Sequence, residues 1–145
     1  MRELRVARIK ANAVLPTRKH PEDAGIDFYA SEEVTIAPHS MGIVPTGVKV
    51  NLPEGFVGLL KPKGRADHLL GAGVVDAGYQ GEILIKVANI SEVPLTFYPG
   101  SAVGQMVIIP IVTPSVTEVS PDTLYSDRSA RGDTGGIVSQ QNALS

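Results

Sequence analysis

Cysteine is absent from all 145 residues, which excludes a disulfide framework and any thiolate metal site. An excess of charge of one sign is missing too. Lys and Arg number 13 against 15 Asp and Glu, for a formal net charge of -2. Without a global basic field, bulk electrostatics give no basis for binding nucleic acid or an anionic membrane. Ligand phosphates then have to be met by a few local cations and backbone amides. No apolar run approaches the ~20 residues that span a bilayer. The segment Met1-Arg-Glu-Leu-Arg-Val6 is charged from its second residue and lacks the apolar stretch of a signal peptide. The expectation is a cytoplasmic domain with no membrane or nucleic-acid partner. Sustained helical periodicity with caps is also lacking. The best short candidate, residues 69–75, is interrupted by Gly71 and Gly73. No repeat of fixed period occurs, which disfavours a solenoid or propeller.

What is present is an ordinary globular composition, 43% hydrophobic and 19% charged, enough for one domain with one core. Gly 15 and Pro 11 are scattered along the chain between short β-branched runs. Strands are expected within residues 2–10, 34–36, 41–50, 56–60, 83–87, 95–98 and 103–112. The run at 41–50 is broken by Pro45 and Gly47. This pattern predicts an all-β sandwich, jelly roll or closed barrel over residues 1–114. Residues 115–145 are rich in Ser, Thr, Asp and Gly and poor in large apolar side chains. They read either as a loose terminus or as an arm that orders on a ligand or a neighbouring subunit.

Four segments hold residues with chemistry to offer. In Ala24-Gly-Ile-Asp27, the carboxylate sits among apolar neighbours and needs a partner. It either caps a turn or holds the water of a magnesium ion, a hard cation that favours carboxylate oxygen. Gly71-Ala-Gly-Val-Val-Asp-Ala-Gly-Tyr-Gln-Gly-Glu-Ile83 reads as a β-hairpin with Asp76 and Tyr79 near its tip. Asp76 is a turn residue or a proton acceptor for water. Tyr79 is a half-buried strand aromatic or a flat face for a sugar. Gln105 lies in an otherwise apolar run, where an amide must find partners in the core or on a ligand. In Ser129-Ala-Arg-Gly-Asp-Thr-Gly-Gly136, glycines permit close approach to phosphate and Arg131 supplies a bidentate fork. The three histidines, His20, His39 and His68, sit in loop-like contexts and read as exposed turn residues without a role.

The order of these elements along one chain resembles the trimeric dUTPase family. Ala24-Gly-Ile-Asp27 looks like its first motif and Gly73-Val-Val-Asp-Ala-Gly-Tyr-Gln-Gly-Glu82 is close to its third. Gly100 to Gln105 is similar to the fourth, and Arg131-Gly132 with the glycines after it to the fifth. The third match is the most specific, because it fixes Asp76, Tyr79 and Gly81 together.

The resemblance implies a distorted jelly-roll (β-clip) subunit and a homotrimer with active sites between subunits, each closed by a neighbour's tail. It implies hydrolysis of dUTP to dUMP and pyrophosphate, with Mg2+ as cofactor. Asp76 would deprotonate the water that attacks the α-phosphorus. Tyr79 would pack under the deoxyribose, and backbone groups around Gly73, Val74 and Val75 would read the uracil edge. Asp27 would hold waters of the metal, and Gln105, Arg131 and Gly132 would contact phosphate. Two departures stand out. The family's second motif, Pro-Arg-Ser-Gly-Leu-Ala, is replaced by Pro62-Lys-Gly-Arg-Ala-Asp67, which lacks the serine and leaves Lys63, Gly64 and Arg65 to meet the phosphates. Ile137 stands near the place of the fifth motif's uracil-covering phenylalanine. Among relatives of the same fold, dCTP deaminase is disfavoured, since its catalytic glutamate falls on Lys86 here. A non-catalytic nucleotide-binding trimer and a hydrolase of another deoxynucleoside triphosphate are the remaining readings.

Overall fold

Alternation with a period of two governs most elements. In Leu84–Asn89, residues Ile85, Val87 and Asn89 are buried while Leu84 and Lys86 face solvent. In Val48–Asn51, both valines point inward and Lys49 and Asn51 outward. Such a pattern suits antiparallel sheets with one face on a core. The computed structural model describes residues 1–64, 67–71 and 73–125. The chain divides into two compact units, Met1–Thr113 and Pro114–Ser145.

The first unit is all-β. Its strands are β1 (Arg5–Arg8), β2 (Gly25–Tyr29), β3 (Val34–Ile36), β4 (Ser40–Pro45), β5 (Val48–Asn51), β6 (Phe56–Lys61), β7 (Leu69–Leu70), β8 (Gly73–Val75), β9 (Leu84–Asn89), β10 (Leu95–Phe97) and β11 (Ala102–Pro110). They form a four-stranded sheet in the order β2-β11-β6-β8, a three-stranded sheet β4-β9-β7, and the pairs β1-β5 and β10-β3. Every pairing is antiparallel. The sheets turn their apolar faces onto one core, in which Phe28, Val44, Val48, Val87, Val103 and Met106 are wholly buried. The result is a small-sheet jelly roll. In the second unit, the described residues hold one turn of 3-10 helix, Pro121–Thr123. Among the described residues no helix is long and apolar enough to cross a membrane.

One local expectation changes, and the interrupted helical candidate proves to be strand. The run at 41–50 is two strands in different sheets, parted where Gly47 takes a φ of 71°; a Cβ there would stand 2.8 Å from the Ala13 side chain. Thr46, buried at this crossing, donates its hydroxyl to the Ile83 carbonyl at 2.7 Å. The helical candidate at 69–75 contributes β7 and β8, which pair with β9 and β6 respectively. Glycine at 71 and 73 weakens a helix, and the exposed edges of β6 and β9 offer the backbone a full set of partners instead.

One buried polar residue ties the β3, β9 and β10 region. Asn89 donates to the carbonyls of Ile36 at 3.0 Å and Val93 at 2.8 Å, and its Oδ1 accepts from the amide and hydroxyl of Ser91. Asn89→Leu would take the side-chain donor from the Ile36 carbonyl, next to the core; the Val93 carbonyl keeps the Ser91 hydroxyl. A loss of about 1–3 kcal/mol of stability is expected, read from urea denaturation; an unchanged midpoint would contradict this network.

Candidate active site

The alternation in β2 sends Ile26 and Phe28 into the core and turns Asp27 to the opposite face. Asp27 is therefore a strand residue and not a turn cap. On β11, Gln105 lies opposite Asp27, and on the other side of β11 it lies opposite Lys61 of β6. Residues directly opposed in antiparallel strands project from the same face, so Asp27, Gln105 and Lys61 form a row across three strands. Just after β6, Lys63 donates from Nζ to Asp27 Oδ2 at 2.6 Å. The Asp27 side chain keeps 13% of its exposure, so the lysine supplies the partner that a largely desolvated carboxylate requires. Gln105 donates from Nε2 to the Pro62 carbonyl at 3.1 Å, which lays its other amide atom over Gly25. A Cβ on Gly25 would stand 1.9 Å from Gln105 Oε1, so a side chain there would displace the Gln105 amide from this position. Lys19, Asp23, Asp27, Lys63 and Gln105 line a cavity of about 250 Å³ around this glycine.

A second cavity, of about 270 Å³, is lined by Val74, Asp76 and Tyr79 together with Leu60, Glu82 and Leu84. Gly73 enters it by lying against β6, where a Cβ would come within 2.5 Å of the Leu60 Cβ. Val75 is buried and Asp76 opens to the surface at the start of a turn. The turn is closed by the Tyr79 amide donating to the Asp76 carbonyl at 3.2 Å and is permitted by Gly78 at a φ of 84°. Tyr79 then folds back on its own chain, its hydroxyl donating to the Glu82 carbonyl at 2.9 Å. Gly81 lies beneath the ring, since a Cβ there would stand 2.4 Å from the phenol oxygen. Glu82 anchors the base of the turn by accepting from the Gly47 amide at 3.0 Å and facing Lys10 Nζ at 3.8 Å.

The expected hairpin takes a different form. Its first strand, β8, pairs with β6, whereas the strand after the turn, β9, pairs with β4 and β7. The turn thus bridges two sheets. Asp76 and Tyr79 still stand at its tip, and Tyr79 is 44% exposed instead of half-buried in a strand. A carboxylate and an aromatic face are presented outward because no ladder encloses them.

The structure brings Asp27, Lys63 and Gln105 into one cavity and Gly73, Val74, Val75, Asp76 and Tyr79 into another, and the two have no lining residue in common. Gly64 is an exposed turn residue after Lys63. Arg65, Arg131, Gly132 and Ile137 lie outside the described residues. Of the two cations offered for the altered second motif, Lys63 is the one seen on Asp27. Lys61 escaped the sequence reading; only the register of β6 against β11 reveals its place in the row. His68 is a correction: far from being an exposed turn residue, it is 7% exposed. Lys86, on β9, faces solvent with its stem over Gly71.

One cavity lined by lysines and carboxylates and a second with an outward acid and aromatic, on small antiparallel sheets, are the candidate site of this jelly roll. The sequence model of the dUTPase family matches residues 11–137, and the chain belongs to that family. Its relatives include deoxyuridine 5'-triphosphate nucleotidohydrolases of Mycolicibacterium vanbaalenii, 34% identical over 91% of each chain, and of Gloeobacter violaceus, 36% identical over 90% of this chain and 92% of the other. Among solved structures, the dUTPase of Staphylococcus bacteriophage 80alpha with dUPNHPP superposes with a TM-score of 0.84 at 28% identity, covering 93% of this chain and 96% of that one. A variant of the dUTPase of phage phi11 of S. aureus, described with a structural Mg(II) ion, gives 0.75 at 28% identity over 81% and 96%.

Gly81→Ala tests the seat of Tyr79. It is expected to lift the ring, break its bond to the Glu82 carbonyl and lower stability by roughly 1 kcal/mol, with a changed near-ultraviolet tyrosine dichroism. A wild-type spectrum and denaturation midpoint would show that the ring does not rest on Gly81.

Proposed function

We propose that this protein hydrolyses dUTP to dUMP and pyrophosphate, and that it does so as a homotrimer. The observation carrying the proposal is the separation of the two cavities. One holds Lys19, Lys63 and the Gln105 amide, suited to phosphate, with the carboxylates of Asp23 and Asp27, the other an acid and an aromatic suited to water activation and a sugar. Neither is complete alone, and a neighbouring copy that sets one against the other would complete both. The tail, residues 115–145, is proposed to close the site of a neighbouring subunit, with Arg131 and Gly132 on phosphate and Ile137 over the base. The same reading places the enzyme in the cytoplasm with no nucleic-acid or membrane partner.

The reaction asks little covalent chemistry of the protein. Asp76 accepts a proton from a water whose oxygen bonds to the α-phosphorus. The bond from the α-phosphorus to the oxygen bridging to the β-phosphorus breaks, and pyrophosphate departs. A positioned carboxylate base of this kind contributes roughly 10²–10⁴-fold to rate. Tyr79, fixed over Gly81, provides a flat support for the deoxyribose, and the backbone at Gly73, Val74 and Val75 faces the base. Lys63, Lys61 and Gln105 meet phosphate oxygens on which negative charge develops. Lys63 does so as a point charge and not as the fork an arginine would offer.

The donor set suits Mg2+. This ion keeps several of its waters and is usually held by one or two carboxylates together with substrate phosphates. Among the described residues no group of three His, Cys, Asp or Glu side chains forms a dedicated cage. Asp27 offers a second carboxylate oxygen beyond the one taken by Lys63. Asp27 would hold the ion through water, and the ion when bound would neutralise phosphate charge.

Each deoxynucleoside triphosphate incubated with Mg2+ gives a direct test: pyrophosphate from dUTP alone is expected, and ammonia from dCTP would restore deaminase chemistry. Asp76→Asn is expected to lower turnover by about 10²-fold or more while dUTP still binds; near-normal turnover would remove Asp76 as the base. Removing residues 129–145 is expected to reduce turnover and leave the trimer intact by light scattering.

A further inference from the structure

We propose that His68 is a positioning residue for the phosphate-facing cluster: its imidazole holds a bulge in β11 and with it the register that sets Gln105 against Asp27 and Lys61. The inference rests on the function proposed above, since it takes that cluster to be the phosphate side of the site.

The bulge is visible in the pairing. Ala102 lies opposite Tyr29 and Gly104 opposite Phe28, so Val103 is an extra residue on β11 with no partner on β2. Pairing with β6 begins only at Gln105. A bulged residue is left out of the ladder and re-aims the strand beyond it. Val103 has no exposure at all, so water cannot reach its carbonyl, and a buried carbonyl needs a donor. His68 supplies it, with Nε2 2.9 Å from the Val103 oxygen. A carbonyl oxygen only accepts, so Nε2 carries the proton. The other ring nitrogen lies 3.4 Å from Asp67 Oδ1.

The ring is held from a second direction. Its edge stands on Phe97 of β10, with centroids 5.1 Å apart and planes at 86°. Nearby, Leu70 packs on Gly104, where a Cβ would meet Leu70 Cδ1 at 2.8 Å. Lys63 and His68 line one cavity together with Val103. The chain around Lys63 is therefore tied to β11 twice, by Gln105 on the Pro62 carbonyl and by His68 on the Val103 carbonyl. Without the second tie the bulge loses its side-chain donor, and the residue two places on, Gln105, which begins the ladder to β6 and lies opposite Asp27 of β2, loses the support on its bulge side.

The test compares His68→Leu, apolar and without a donor, with His68→Gln, whose side-chain amide can reach the same carbonyl. Hydrogen–deuterium exchange of the β11 amides and the KM and kcat for dUTP with Mg2+ are read on each full-length protein. In His68→Leu, exchange over residues 101–106 is expected to quicken and KM to rise roughly tenfold, the equivalent of one buried hydrogen bond, with kcat changed far less. His68→Gln is expected to restore both. Equal losses in the two variants, or wild-type exchange and KM in His68→Leu, would overturn the proposal. If His68→Leu does not fold, His68→Asn, polar but too short to reach Val103, takes its place with the same outcomes. A wild-type protein inert toward dUTP would defeat the proposed function, while the exchange data would still decide whether His68 holds the bulge.

Discussion

The register of β11 is the constraint on which the rest depends. This strand lies between β2 and β6, and its bulge at Val103 decides which of its residues faces which neighbour. A slip of one residue would reverse every side chain beyond it. Gln105 would turn into the core, and Met106, now wholly buried, would turn out. The row of Asp27, Gln105 and Lys61, and the ion pair of Lys63 with Asp27, exist because that register is fixed. The bulge accounts for two consecutive buried residues, Val103 and Gly104, ahead of the alternation from Gln105 to Val107.

The two cavities are built by different means. The one around Gly25 is a sheet surface, in which pairing sets the spacing of side chains and the lysine-carboxylate contact balances charge locally. The other is a turn between sheets, where Gly78 and Gly81 admit a tight path and Tyr79 doubles back onto the chain. Strands make the first precise. Glycines, a phenol-carbonyl bond and Glu82 beneath the turn do the same for the second. Neither cavity draws on residues of the other.

The departures in the second motif acquire a physical shape. Where an arginine would present a planar fork, Lys63 places a compact charge on Asp27, and Lys61 adds a second cation within the row. Exchange of a fork for point charges keeps the positive charge and gives up the bidentate geometry.

Short β-branched runs between Gly and Pro were enough, in the sequence, to expect an all-β domain, because period-two burial is a local property. The motif residues at 24–27, 73–82 and 105 were equally legible, since glycines and charged side chains at fixed spacing carry their own steric and chemical reasons. Pairing was not legible. Nothing local tells β8 to join β6 instead of β9, places Lys61 opposite Gln105, or shows that His68 faces a carbonyl 35 residues away. The sequence by itself marked most of the strands and the motif residues, though not the strand at Gly25–Tyr29 or the places of Lys61 and His68. Only the tertiary structure decided which of them meet, because hydrogen-bond partners between strands are chosen by the burial of whole faces and not by neighbours along the chain.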